Sequence, residues 1–413
     1  MIKKYENYTE SNIVGIDEIP ITWQQIKLKY ILSLKSGDAI TSNELSDEYD
    51  FPVYGGNGIM GFTNRYIYEN DKIIVGRVGA YCGNIHLAKG KIWVSDNALL
   101  IETEENLEYL TYLLKSLQLN KLANKNAQPL ITGSMVKDQI IPFPASKTEQ
   151  TKIAQYLDHQ TNLIDQLIKQ KEKQIELLKE YRQAVINEAV TKGLDPNAKM
   201  KDSGIEWLGE VPEGWEIRKL KHLVSLNSNE DDAQYLAFKV ALENIESGTG
   251  KFVESNLESQ FEGVGNYFKK GDVLFNKLRP YLAKVYLAQQ DGYSVGELLV
   301  FSPKEEIISG FLFYRLLSSS FIEVVNGSTY GAKMPRASWS FIGNLSVVVP
   351  SKDEQSQIID YIQKYNTKIN KLISDIDIQI QKLKEYRQSI ISEAVTGKID
   401  VREWQIPDNV HEV

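Results

Sequence analysis

Residues 146–195, SKTEQTKIAQYLDHQTNLIDQLIKQKEKQIELLKEYRQAVINEAVTKGLD, are matched without a gap by residues 351–400, SKDEQSQIIDYIQKYNTKINKLISDIDIQIQKLKEYRQSIISEAVTGKID. The offset is 205 residues throughout and 23 of the 50 positions are identical, among them Lys179–Gln183 with Lys384–Gln388 and Glu188–Thr191 with Glu393–Thr396. A period near 200 is too long for a stacked-repeat solenoid, so the repeated unit is a whole domain that ends in a long helix. Helix follows from spacing. Ile168, Ile175, Leu178, Val185 and Ala189 fall on alternating three- and four-residue steps, as do Ile373, Ile376, Ile380, Leu383, Ile390 and Ala394. Polar residues fill the positions between, which is the pattern of a coiled-coil seam. Arg182 and Arg387 interrupt the seam at matching positions, and the expectation is that their stems pack while their heads reach water. Neither helix contains Pro or Gly between its start signal and the stop at Gly193 or Gly397. About 40 residues at roughly 1.5 Å each predict a rod of about 60 Å.

Working outward, Pro20-Ile-Thr-Trp23 with Lys27-Leu-Lys29 recurs as Pro212-Glu-Gly-Trp215 with Lys219-Leu-Lys221. IVGRVGAYCGNIHLA (74–88) lies against LFNKLRPYLAKVYLA (274–288), and NAQPLITGSMVKDQIIPFP (126–144) lies against AKMPRASWSFIGNLSVVVP (332–350). The chain is thus a tandem duplication, close in its helices and strongly diverged elsewhere. FPVYGGNGIMGF (51–62) reads as a Gly/Asn turn between apolar runs. Strands are expected in KIIVGRVGAY, KIWVSDNALLIE, GDVLF, KVYLA and ELLVF, with one short helix per copy near 106–119 and 309–322. The fold class is α+β: two mostly-β or α+β domains, each followed by a long helix. The expected divisions are a loosely packed lead-in (1–19), a first globular part (20–145), a first helix (146–192), a linker (193–211), a second globular part (212–350), a second helix (351–397) and a tail (398–413).

Composition narrows the function. The lone Cys82 fits a reducing cytosol and rules out an internal disulfide framework. No run of 18 apolar residues exists and MIKKYENYTE lacks a hydrophobic signal core, so the expectation is a cytoplasmic chain without a membrane span. Four scattered histidines argue against a metal centre. Net charge is −8, which counts against a simple basic nucleic-acid-binding module. Residues 20–145 carry 12 basic and 13 acidic side chains, and 212–348 carry 14 and 16. Gly248-Thr-Gly250-Lys251 lacks the earlier glycine and the following Ser/Thr of a phosphate loop, and Gly263-Val-Gly265 reads as a turn. No Pro-Pro dipeptide and no HExxH occur. A catalytic role for this chain by itself is not expected.

SGIEWLGEVPEGW (203–215), GDVLFNKLRPYLAK (271–284), the junctions IPFPASKTEQ and VVPSKDEQ, and the helix endings KEYRQAVINEAVTKG and KEYRQSIISEAVTGK together cover nearly the whole chain. In this combination the sequence resembles the specificity subunit of type I restriction-modification enzymes, although SNIVGIDEIPITW (11–23) lacks the tryptophan that Trp207 supplies. The resemblance implies a DNA-binding subunit with no chemistry of its own. Each globular part would be a target-recognition domain for one half of a bipartite double-stranded DNA site. The two helices would pair antiparallel, set the spacer and dock two adenine methyltransferase subunits, and a restriction/translocase subunit would join for cleavage. S-adenosylmethionine would then belong to the methyltransferases, ATP and magnesium to the restriction subunit, and no cofactor to this chain.

A pair of copies related by a pseudo-two-fold would turn its two readers toward opposite DNA strands, and a rod of this length would span successive major grooves, roughly 34–36 Å apart. By residue type, Arg77 between glycines suits guanine and Asn57 and Asn84 suit adenine, while Lys277, Arg279 and Lys284 flank Tyr281 in the matching stretch, which as a group is expected to touch DNA. Lys333 and Arg336 suit phosphate contact. Tyr81 and Tyr281 recur at equivalent positions and, like Trp23 and Trp215, are expected to pack in the core. The alternative reading is a duplicated coiled-coil scaffold that joins protein partners without reading DNA.

Overall fold

The structure, a computed structural model, describes residues 3–123, 129–228, 230–232, 238–254, 264–294, 297–331 and 333–407. It divides into two compact units, Met1–Lys171 with Ile378–Val413, and Glu172–Asp377. Each unit therefore holds one globular part, the start of the helix that follows it and the end of the other long helix.

In the first unit the strands are β1 (Tyr8–Ile13), β2 (Ile16–Pro20), β3 (Trp23–Lys27), β4 (Leu32–Ser36), β5 (Phe51–Gly55) and β6 (Gly58–Thr63). They continue with β7 (Lys72–Gly76), β8 (Ile85–Ala88), β9 (Trp93–Val94), β10 (Ala98–Thr103) and β11 (Ile140–Pro144). Helices α1 (Leu107–Ser116) and α2 (Gly133–Lys137) precede the long α3 (Lys147–Lys192). The central sheet runs β4-β10-β7-β8, a second runs β6-β5-β9, and β3 pairs with β11. Period two explains why the three central residues of β7, Ile73, Ile74 and Val75, are all apolar. Ile73 and Val75 face the main core with α1, while Ile74 faces a smaller core with Ile92, Val94 and Leu100 under the second sheet.

The second unit repeats the plan. Its strands are β12 (Met200–Asp202), β13 (Glu210–Pro212), β14 (Glu216–Lys219), β15 (Val224–Asn227), β16 (Glu230–Asp232) and β17 (Lys239–Val240). They continue with β18 (Val264–Phe268), β19 (Val273–Asn276), β20 (Val285–Leu287), β21 (Gly292–Ser294), β22 (Leu298–Pro303) and β23 (Ser346–Val349). Its helices are α4 (Leu220–Leu223), α5 (Ser309–Leu317), α6 (Ser319–Gly327), α7 (Trp339–Ile342) and the long α8 (Lys352–Val395). The sheet β15-β22-β19-β20 matches β4-β10-β7-β8 strand for strand, and β14 pairs with β23 as β3 does with β11. The covering sheets differ, since here it is β16-β18-β21-β17. Val264 and Gly265 belong to β18 rather than to the expected turn, because they pair with Asp232 and Asp231; Gly263 lies outside the described residues.

Both long helices start at a serine and stop at a glycine. Ser146 and Ser351 hydroxyls accept from the backbone N–H of Glu149 and Glu354, three residues on. Gly193 and Gly397 take positive φ of 79° and 76°, the left-handed conformation that closes a helix. The helix segments within each unit run antiparallel. In the first, Arg387 forms a two-pronged ion pair with Asp165 at 2.9 and 3.1 Å, and Gly397 packs on Pro20 and Trp23 near the start of α3. In the second, Arg182 donates to Asn370 while Gly193 packs on Trp215 and Glu354. These are the same contact 205 residues apart. The expectation for the two seam arginines is corrected, for their heads bind the facing helix and Arg182 is buried.

Three further expectations change. The lead-in is packed: β1 and β2 form a hairpin, Ile19 is buried, and the buried Tyr5 hydroxyl donates to Glu149 at 2.7 Å. The short helix expected at 309–322 is two helices, split at Ser318, whose backbone is extended. Finally, Tyr81 and Tyr281 are outside the core, as detailed below, whereas Trp23 and Trp215 are in it.

Candidate nucleic-acid interface

The loops leaving β7 and β19 share one backbone. Arg77 N–H donates to Asn97 O and Lys277 N–H to Glu297 O, both at 3.1 Å. Gly79 N–H donates to Pro129 O at 2.9 Å, and Arg279 N–H to Pro335 O at 2.7 Å. Ile131 N–H reaches Arg77 O, and Ala337 N–H reaches Lys277 O, both at 2.9 Å. Gly76 N–H closes the first loop on Asn84 O at 2.9 Å, and Asn276 N–H closes the second on Lys284 O at 3.1 Å. Left-handed residues stand at the same two places: Gly79 and Gly83 (φ 82° and 85°), and Arg279 and Ala283 (φ 50° and 46°). A side chain at Gly83 would put its Cβ 2.4 Å from Asn120 N, so the first copy requires glycine there.

On this common frame the side chains diverge. In the first copy Asn57, at the turn between β5 and β6, is exposed and accepts from the exposed Asn84 amide at 3.2 Å. Arg77 is half-buried, its guanidinium donating to Ser36 Oγ at 3.2 Å. These three expected residues therefore come together around the loop. In the second copy Arg279 is exposed and donates to Lys333 O at 3.4 Å, which brings Arg279 and Lys333 together. Lys277 makes no ion pair or hydrogen bond through its side chain among the described residues.

The remaining two cations are engaged. Lys284 donates its ammonium to Leu242 O at 2.6 Å, tying the loop end to the segment after β17. Arg336 pairs with Glu297 at 2.8 Å, and that hydrogen bond holds the Glu297 carboxyl below the usual range. Both residues shape the loop rather than project from it. Tyr81 and Tyr281 are 55% and 53% exposed, so the expectation that they pack in the core is overturned. The physical reason is the loop itself, because a left-handed residue on either side turns the ring outward.

Sequence reasoning missed the joint between each globular part and its helix. Gln150 and Gln355, 205 residues apart, are fully buried. Gln150 donates to Pro144 O and Glu105 Oε2 and accepts from Asn106 N–H. Gln355 donates to Pro350 O and Glu306 O and accepts from Ile308 N–H. The identical Glu-Gln in SKTEQ and SKDEQ was the available signal. Also missed was Arg315, fully buried in the second unit over the ring of Trp207, 5.0 Å from its centroid. It donates to Ser318 and Ser320 hydroxyls and has no acidic partner among the described residues, and burial pushes its pKa down to about 9.

Two matched sheets carrying one loop frame with two sets of side chains, each joined to a long helix by the same glutamine, define a tandem pair of recognition domains. The family model "Type I restriction modification DNA specificity domain" matches residues 20–177 and 212–382, and the chain belongs to that family. It is similar to the type I restriction enzyme MjaVIII specificity subunit of Methanocaldococcus jannaschii, at 26% identity over 97% of each chain. It is also similar to the EcoDI specificity subunit of Escherichia coli, at 21% identity over 94% of this chain and 91% of that one. Among solved structures, one described as the "Structural basis underlying complex assembly and conformational transition of the type I R-M system" shares the fold. Its TM-score is 0.64 at 14% identity, covering 92% of this chain and 99% of that one. The HsdS subunit from Thermoanaerobacter tengcongensis gives 0.50 at 15% identity, covering 93% and 99%. The chain is thus a specificity subunit, a non-catalytic component of such systems. Among its described residues no helix is long and apolar enough to cross a membrane.

Proposed function

We propose that the loops Arg77–Asn84 and Lys277–Lys284 read the two halves of an asymmetric bipartite site in double-stranded DNA. The observation that carries this is the conserved loop frame bearing diverged side chains: the frame sets where a reader stands, and the side chains set what it accepts. Residues 20–145 and 212–350 are the reading domains. Arg77, Asn57 and Asn84 offer one guanidinium and two amides to base edges, while Lys277, Arg279 and Lys333 give the second reader more charge. Lys284 and Arg336 act as positioning residues through Leu242 and Glu297.

The helices, with residues 146–192 and 351–397 as spacers, set the distance between half-sites. Leu167 and Tyr386 in the first unit, and Leu372 and Tyr181 in the second, are equivalent exposed apolar pairs suited to one methyltransferase subunit each. S-adenosylmethionine belongs to those partners, ATP and magnesium to a restriction/translocase partner, and the complex works in the cytoplasm. Partners that supply phosphate-binding lysines account for the acidic balance of this chain.

Mapping methylated adenines in DNA exposed to the assembled complex tests the reading. Replacing residues 20–145 with the reading domain of another specificity subunit is expected to change one half-site only, and inserting one heptad in both helices to change only the spacer. Changes in both half-sites after the first replacement would refute the division of labour. Arg77→Ala is expected to cost about 1–3 kcal/mol of discrimination at one position of one half-site.

A further inference from the structure

Among the described residues only three non-glycine residues have positive φ, and two of them, Arg279 and Ala283, bracket Tyr281. A left-handed conformation costs an ordinary residue roughly 1–2 kcal/mol, and such strain persists where the surrounding structure enforces it. Here it reproduces, without glycine, the shape that Gly79 and Gly83 give the first loop at no steric cost. What this shape delivers in both copies is the same object, a tyrosine more than half exposed on a short turn. Cys82 N–H closes that turn on Gly79 O at 3.1 Å, and Leu282 N–H closes its counterpart on Arg279 O at 3.0 Å. Neither hydroxyl has a hydrogen-bond partner among the described residues. The residues on either side differ between the loops, Arg77 against Lys277 and Asn84 against Lys284, yet the tyrosine does not. A group kept constant while its neighbours vary is suited to the part of DNA that does not vary, its backbone.

We propose that Tyr81 and Tyr281 are the sequence-independent anchors of the two readers, each donating its hydroxyl hydrogen to a phosphate oxygen and fixing the register in which neighbouring side chains meet the bases. This rests on the DNA reading proposed above. A phenol is neutral, so its contact releases no counterion. It therefore adds affinity without adding to the salt dependence, unlike a lysine contact.

The test uses the complex assembled with its methyltransferase, duplexes carrying the mapped site and a set each changed at one base pair. Tyr81→Phe and Tyr281→Phe keep the ring and remove only the hydroxyl. Each is expected to weaken binding about 10- to 100-fold on every duplex, the loss of one hydrogen bond to a charged group. The ranking of the duplexes and the slope of log affinity against log salt are expected to stay unchanged. Lys277→Ala, by contrast, is expected to reduce that slope by about one. Unaltered affinity in both phenylalanine variants, or a changed ranking, overturns the anchor. If Arg77→Ala relaxes one position while the phenylalanine variants are silent, the anchor alone fails. If Arg77→Ala, Lys277→Ala and the phenylalanine variants are all silent, the DNA reading fails with it.

Discussion

In the first copy the loop after β7 is almost uncharged: one arginine leaning on Ser36, two glycines at the bends, and Asn84 bonded to Asn57 of the β5–β6 turn. In the second copy the same backbone carries Lys277, Arg279 and Lys284, and two non-glycine residues accept the left-handed bends. The main-chain hydrogen bonds are conserved almost one for one, so loop shape does not depend on loop sequence. Shape comes from what the loop is tied to: the strand following it, the Asn97 or Glu297 carbonyl, and the Pro129 or Pro335 segment. Side-chain chemistry is thereby free to change without refolding the loop. That separation is what a protein needs if it is to alter the sequence it recognises.

The sharpest way to break the comparison is at the second bend. Gly83→Ala places a methyl against the Asn120 backbone in a conformation alanine resists, and is expected to destabilise the first unit by about 2–4 kcal/mol. Ala283→Gly relieves the same conformation and is expected to leave stability unchanged or raise it by up to about 1 kcal/mol. Denaturant titration of the full-length variants reads both, and equal losses would show that the two frames are not equivalent.

A middle-sized effect concerns the helix behind the second loop. Arg315 aligns with the buried Leu113 of the first copy and has no acidic partner among the described residues. Burial holds its folded pKa at about 9, far below the ordinary guanidinium value. The cost of burying the charge is therefore present below about pH 9, and stability from this group rises with pH between the two values. Arg315→Leu, which copies the first unit, is expected to stabilise the second by about 1 kcal/mol at neutral pH, as a calorimetric melt would show. A clear loss would mean that the Trp207 contact and the serine hydrogen bonds outweigh desolvation.

The smallest effect separates the copies by acidity. His86 in β8 faces the β5–β6 turn near Gly58, and its counterpart is Tyr286 in β20. Burial, then the Lys115 charge, lowers the His86 pKa below its ordinary 6.5. The unfolded chain takes up the proton first, so stability from this group is present above pH 6.5 and falls as pH drops below it. Hydrogen-exchange protection of β5–β6, relative to the intrinsic rate at each pH, is expected to fall under mild acid, and His86→Tyr to abolish that change while β17–β21 stays indifferent.

Much of this architecture was legible in the sequence. The ungapped helix repeat placed both long helices to within a residue or two, and short apolar runs beside turn residues located the central strands. The aligned stretches 74–88 and 274–288 proved to be equivalent strand-loop-strand units. Tyr81 and Tyr281 were misread because an aromatic residue beside an apolar strand is usually buried, and nothing in the residue names announces a left-handed bend at Arg279. Lys284 and Arg336 looked like free cations because their partners, a carbonyl at Leu242 and a carboxylate at Glu297, are far away or ambiguous in the sequence. The covering sheets were the least legible, since they differ between copies and the repeat offers no second reading.

The buried glutamines carry a consequence for heredity. Gln355 grips its domain through three main-chain groups, and Gln150 does so through two main-chain groups and one carboxylate. A joint that holds carbonyls and amides is blind to most side chains of the domain it holds. Recombination falling at SKTEQ or SKDEQ would then splice a foreign domain onto the same socket, so that new specificities arise by exchange in one event rather than by the slow accumulation of point changes.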